Sequence, residues 1–263
     1  HTVLTVLYII SLAGGTLGVI MMSRQLLQRR SQSVMTLMII SLLVLHTFML
    51  LSIPFRLSYY ILGEWKFDMF ACRLVSAIIY LHMYATFAFY VAIIVTRLLR
   101  LEFQKCYTTA WVGAVWLVGA LLIAPVLLSY YGTSKPYKPS ECFQFHGELQ
   151  EVPMVVASYC LIGILVALCA VLTVIQLTVM CRVAVKFWPD VNSHVEFRAQ
   201  AKSFFFILIT LICFMPHHVF RVYYIQNYNL DKDHKLLLYD EAFLALTTMC
   251  CLDMLCFIAG ISH

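Results

Sequence analysis

Charged side chains are scarce in this chain. Asp, Glu, Lys and Arg make up 12% of its 263 residues, while 62% are hydrophobic and the mean hydropathy is +0.88. An average soluble domain carries about 25% charged residues, so a soluble globular domain is excluded, as is a disordered segment. The net charge of +5 is too thinly spread for nucleic-acid binding. No Ser-His-Asp order and no metal-ligand spacing is present, so catalysis has no warrant and no cofactor is implied. Internal repeats, low-complexity stretches and paired broken helices are missing too, which argues against transporter halves. There is no Asn-x-Ser/Thr acceptor, no initiating Met and no secretory leader; both natural termini are expected to lie beyond the sequence.

What the chain has instead is long apolar runs. Seven can be read, near residues 1–23, 34–61, 70–101, 108–131, 151–186, 197–227 and 237–260. Each can cross the hydrocarbon as a helix of about 20 residues. Stretches such as VMTLMIISLLVLHTFMLLSIPF are too continuous for the alternation of barrel strands. The reading is an all-α, seven-transmembrane-helix bundle forming a single domain over 1–263. Charges sort by side. The first, third and fifth connections with their flanking helix ends hold ten basic residues against three acidic, and the opposite side holds eight against nine. The positive-inside rule then puts the N-terminus outside and the C-terminus in the cytoplasm. The long polar connection 132–150 falls outside, and the expected location is a multi-pass position in the plasma membrane, with lipids as partners.

An ordered set of local features runs through this frame. Trp65-Lys66-Phe67 precedes the third run and Cys72 opens it; Arg97 closes it. Trp116 and Pro125 mark the fourth run, and Cys142 sits in the long connection. Cys213-Phe214-Met215-Pro216 interrupts the sixth, and Asp253-Met254-Leu255-Cys256-Phe257 ends the seventh. Over the whole chain this set resembles the rhodopsin-like (class A) G-protein-coupled receptors. Within that family Ile53-Pro54-Phe55-Arg56, the segment 206–218 and Cys251-Leu252-Asp253 are similar to the purinergic-type branch of nucleotide and lipid receptors.

The resemblance implies a receptor, not an enzyme, that couples an extracellular ligand to a heterotrimeric G protein. It also implies a Cys72–Cys142 disulfide, closing a loop of about 70 residues and worth about 4 kcal/mol in the chain-entropy picture. It makes Arg97 the switch residue that meets the G protein. A plain alternative is an arginine snorkelling at the helix end. Further G-protein contacts are expected from Arg100, Phe103, Arg182, Arg198 and Lys202. Pro216 would kink the sixth helix, with Phe214 as its toggle aromatic.

Departures from the family pattern matter as much. Thr96 and Leu98 flank Arg97 where the family has an acid and a tyrosine, so the restraining ion pair cannot form. His46 stands at the position of a sodium-binding aspartate, and Val19 at that of an asparagine. Imidazole nitrogen suits sodium poorly, and with Asp253 and Thr86 as the remaining candidates the sodium site reads as lost. His46 as a core histidine bonded to Asp253 is the plain alternative. Phe257 replaces a tyrosine in the last helix. Gln176 falls near an activating tyrosine, either reaching toward Arg97 or packing between helices. The losses at Thr96 and His46 predict substantial ligand-independent activity.

The expected ligand pocket comprises Arg56, Ile79, Tyr80, His82, Met83, His217, His218, Arg221, Tyr224 and Glu241. Its two guanidinium forks suit an anionic ligand such as a lipid or nucleotide. Alternatively, Arg56 and Arg221 pair with Glu241 or Asp240 and tie helix ends together, in which case the preference for an anion disappears. The third helix has no aspartate near Ile79, which argues against an amine ligand. The rivals to a signalling receptor are a non-signalling decoy or scaffold and a transporter.

Overall fold

The computed structural model describes residues 2–28, 34–98, 105–125, 140–143, 152–190, 194–230 and 235–255. Among these residues there are helices and turns and no strand. The first five spans are α1 (Thr2–Gln28), α2 (Val34–Leu62), α3 (Met69–Leu98), α4 (Lys105–Pro125) and α5 (Val152–Lys186). The sixth is composite: α6 (Val195–Ile209), a π-helical turn (Thr210–Phe214) and α7 (Met215–Asn227), with a 3-10 turn (Tyr228–Leu230) at its end. The seventh joins α8 (Lys235–Thr248) to a 3-10 turn (Met249–Leu252). Five of the described helices are long and apolar enough to cross a membrane, counting α6 through Leu230 as one; Thr109–Leu121 is a shorter apolar helix.

Local chemistry fixes several ends. Gly63 at φ 76° donates its N–H to the Tyr59 carbonyl (2.9 Å) and stops α2. Asp68 caps α3, its carboxylate accepting from the Ala71 N–H at 2.9 Å. Pro153 sits in the first turn of α5, where its missing N–H costs nothing. The sixth span breaks at Pro216. A proline inside a helix removes one hydrogen bond and crowds the carbonyl four residues back. Here the turn just before it widens, and the Met215 N–H reaches back five residues to the Thr210 carbonyl.

α2 and α3 form the most buried part of the bundle, α1 and α5 are far less buried, and α4 buries none of its described side chains. Large apolar side chains such as Leu17, Leu121, Ile164, Val171 and Val174 line the outside, as lipid-facing surfaces require. α1 comes very close to the seventh span. A Cβ on Gly15 would meet Cys251 Sγ at 2.7 Å and Leu50 at 2.8 Å, so only hydrogen fits there. Ser11 and Thr248 hydroxyls bridge the same two spans at 2.8 Å.

Candidate functional site

At one end of the bundle, Cys72 at the head of α3 is bonded to Cys142, with Cα atoms 5.9 Å apart. The disulfide draws the residues beside Cys142 over the helix tops. The Trp65 N–H donates to the Ser140 carbonyl at 2.8 Å. Phe143, held at φ 65° and almost fully buried, drops into the bundle. Its ring lies 5.3 Å from Tyr59, 5.5 Å from Trp65 and 6.2 Å from Tyr60.

Beneath that plug lies Arg56, fully buried. It donates to Glu241 Oε2 at 3.0 Å and to the Tyr8 hydroxyl at 3.2 Å, and its guanidinium carbon is 4.2 Å from the Phe143 ring centre. Tyr60 donates to the same Glu241 oxygen at 2.8 Å. On the neighbouring acid, Arg221 donates to Asp240 Oδ2 and stands 5.2 Å from the Tyr224 ring. His217 Nδ1 lies 3.9 Å from Asp240 Oδ1, and His218 sits beside Tyr84. Of the two readings of these arginines, the geometry is that of helix-tying ion pairs, Arg56–Glu241 between α2 and α8 and Arg221–Asp240 between α7 and α8. Ile79 and Met83 are buried and Tyr80 half-buried on α3.

His82, expected beside them, is elsewhere. It lies deeper, with Nε2 at 2.8 Å from His46 Nδ1 and 3.8 Å from Cys250 Sγ. The other nitrogen of His46 is 3.3 Å from Asp253 Oδ1, beside the carboxylate but without the hydrogen bond of the core-histidine alternative. The Tyr90 hydroxyl donates to Asp253 Oδ2 at 2.6 Å. The Tyr90 ring in turn faces Phe206 (5.1 Å) and Phe214 (6.3 Å), so one tyrosine touches the third, sixth and seventh spans around the π-helical turn.

At the other end, the Thr96 hydroxyl donates to the Ala92 carbonyl of its own helix at 2.7 Å. Arg97 is on the last turn of α3; its side chain, and all of Arg100, Phe103 and Phe257, lie outside the described residues. Gln176 is buried and donates to the Gln200 side-chain oxygen (2.9 Å) and backbone carbonyl (3.0 Å), which joins α5 to α6 and answers to the helix-packing alternative. Arg182, Arg198 and Lys202 are exposed on the same end. Sequence reasoning missed Phe143, Tyr8, Gln200 and Tyr90, and it reads Cys250 as a small apolar filler, setting aside zinc on the adjacent Cys250/Cys251 pair. Only Phe143 left a trace, through its place next to Cys142.

Residues 15–256 match the 7 transmembrane receptor (rhodopsin family), so a bundle with a disulfide-clamped end and a proline-broken sixth span is a receptor fold by descent as well as by shape. The chain belongs to the rhodopsin family of seven-transmembrane receptors. It is 36% identical to the human probable G-protein coupled receptor 141 over 98% of this chain and 88% of that receptor. It is 28% identical to human cysteinyl leukotriene receptor 2, over 80% of this chain and 64% of that protein. Rat uracil nucleotide/cysteinyl leukotriene receptor is 26% identical, over 68% and 53% respectively. The protein is thus a multi-pass plasma-membrane receptor that signals through G proteins, not an enzyme.

Proposed function

We propose that this receptor turns its disulfide-clamped end outward, with the N-terminus outside and the C-terminus in the cytoplasm, and signals substantially without ligand. The observation that carries the second point is the Thr96 hydroxyl, spent on its own helix backbone next to Arg97. With no acid at that position, the off state lacks an ion pair on the switch arginine. Losing about 1–3 kcal/mol of bias raises the active population several-fold to more than a hundredfold. The inner contact surface then comprises Arg97, Arg100, Phe103, Arg182, Arg198 and Lys202. Phe214 and Pro216 form the pivot, and Gln176 bridges the fifth and sixth spans.

The ion pairs on Arg56 and Arg221 count against an anion preference, and an anionic ligand for the outer pocket is kept as a proposal only by way of exchange. Glu241 and Asp240 each accept from one Nη1, and Arg56 Nε and Nη2 are buried with no hydrogen-bond partner among the described residues, so a carboxylate or phosphate would compete with one of the two acids. The names of two relatives refer to a uracil nucleotide and a cysteinyl leukotriene, which fits this class. The sodium site proposed as lost follows from His46 in place of an acid.

The test is GTP exchange on purified heterotrimeric G proteins without added ligand. Wild type should exceed empty membranes, and Thr96→Asp should lower the rate several-fold. Wild-type exchange equal to empty membranes overturns the ligand-independent reading and favours a decoy.

A further inference from the structure

Three buried donors meet where the second, third and seventh spans cross: His46 Nδ1, His82 Nε2 and Cys250 Sγ. One ligand atom from each of the three lies within 4.8 Å of the others. The two nitrogens are 2.8 Å apart, and His82 Nε2 is 3.8 Å from the sulfur. Tetrahedral zinc, with bonds of about 2.0–2.1 Å to nitrogen and about 2.3 Å to sulfur, needs edges of roughly 3.3 Å and 3.6 Å. The nitrogen pair is about 0.5 Å short of its ideal and the His82–sulfur pair about 0.2 Å long, while the third edge lies within 4.8 Å, so side-chain rotation must draw the three donors into place.

The surroundings suit a metal on the His46 side only; His82 Nδ1 is buried with no hydrogen-bond partner among the described residues. Metal-bound histidines almost always give their second nitrogen to a carboxylate or carbonyl, which fixes the tautomer. His46 Nε2 faces Asp253 Oδ1 at 3.3 Å, leaving Nδ1 aimed at the cluster, and Tyr90 holds the other oxygen of Asp253. Thr86 is one turn beyond His82 on α3. Its hydroxyl oxygen is buried and has no hydrogen-bond partner among the described residues. It is suited to a fourth ligand or to a metal-bound water. Charge balances as well: a divalent ion, a Cys250 thiolate and the Asp253 carboxylate sum to zero, the condition for placing charge in a dry core.

We propose that His46, His82 and Cys250 form a binding site for a borderline-soft divalent transition metal, zinc in the first instance, that clasps the second, third and seventh spans. Two imidazoles and a thiolate select zinc or its neighbours over sodium, magnesium or calcium, which take oxygen. Binding releases the Cys250 thiol proton as the sulfur–metal bond forms. The site is independent of which ligand the outer pocket accepts and of whether the receptor signals without one.

The experiment uses the purified full chain in nanodiscs with cobalt(II) as probe. The expected result is one equivalent of cobalt per chain, with thiolate-to-cobalt charge-transfer absorption and the visible bands of tetrahedral cobalt, both abolished by zinc. Cys250→Ser should remove the charge-transfer absorption, and His46→Gln or His82→Gln should weaken binding at least tenfold. Asp253→Asn should weaken it 10–100-fold while the spectrum keeps its shape. Cys251→Ala should retain both absorption and affinity. Wild type without this absorption, or absorption that survives Cys250→Ser, overturns the proposal. X-ray absorption at the zinc edge of loaded wild type needs no variant to fold. Two imidazoles and one sulfur support the site, and a shell of oxygen and nitrogen alone refutes it.

Discussion

Glu241 accepts from both Arg56 and Tyr60 in a place closed to water. A buried pair of this kind adds little net stability while intact, yet removing one partner strands a charge at about 3–5 kcal/mol. Glu241→Gln should therefore lower the thermal midpoint of the purified receptor markedly. The double change Arg56→Met with Glu241→Leu should recover most of that loss, read by the same melting assay. Tyr90 gives a smaller effect. Tyr90→Phe keeps the ring against Phe206 but leaves a buried Asp253 oxygen without its donor, a cost of about 1–3 kcal/mol. These residues also mark what single-sequence reading can reach. The presence of Arg56, Arg221, Asp240 and Glu241 was plain from the chain, but which acid faces which arginine depends on how three helices rotate about their axes. His46, His82 and Cys250 are separated by 36 and 168 positions, and no spacing rule joins them; only the crossing of their spans does.

At the scale of elements, the sixth span carries the largest local departure from regular helix. The π-helical turn places a widened, less regular stretch between α6 and α7, directly beside Tyr90. Pro216→Ala restores a backbone donor, so this span should straighten and stiffen. Melting temperature should rise while ligand-independent GTP exchange falls several-fold. The bond from Gln176 to Gln200 acts against the same motion, holding the inner part of α6 to α5. Replacing Gln176 by Leu removes about 1 kcal/mol of restraint. If α6 leaves α5 in the active state, basal exchange should rise about fivefold, measured on the same preparation. Pro216 announced the break from the sequence alone. The length of the distorted stretch was not legible, because it reflects how neighbouring spans brace the freed carbonyls.

For the whole molecule, the length and continuity of the apolar runs were sufficient for the helical bundle, because a lipid solvent leaves few other solutions. Packing between the first and last spans was not legible. Glycines in an apolar run look like helix weaknesses until their partner is known. Gly15 lies against Cys251 and Leu50, and Gly15→Val should separate α1 from the seventh span. A destabilisation of about 1–3 kcal/mol is expected, with reduced surface expression in cells. The Cys72–Cys142 bond is the other long-range constraint, spanning 70 positions. Phe143, its neighbour in sequence, presses an aromatic face onto Arg56 while Glu241 supplies a carboxylate on the other side. The vestibule is therefore furnished before any visitor arrives. Compounds that unite an acid with a flat ring would replace the Glu241 carboxylate and stack near Phe143, and a screening collection for this receptor is best built around that pairing.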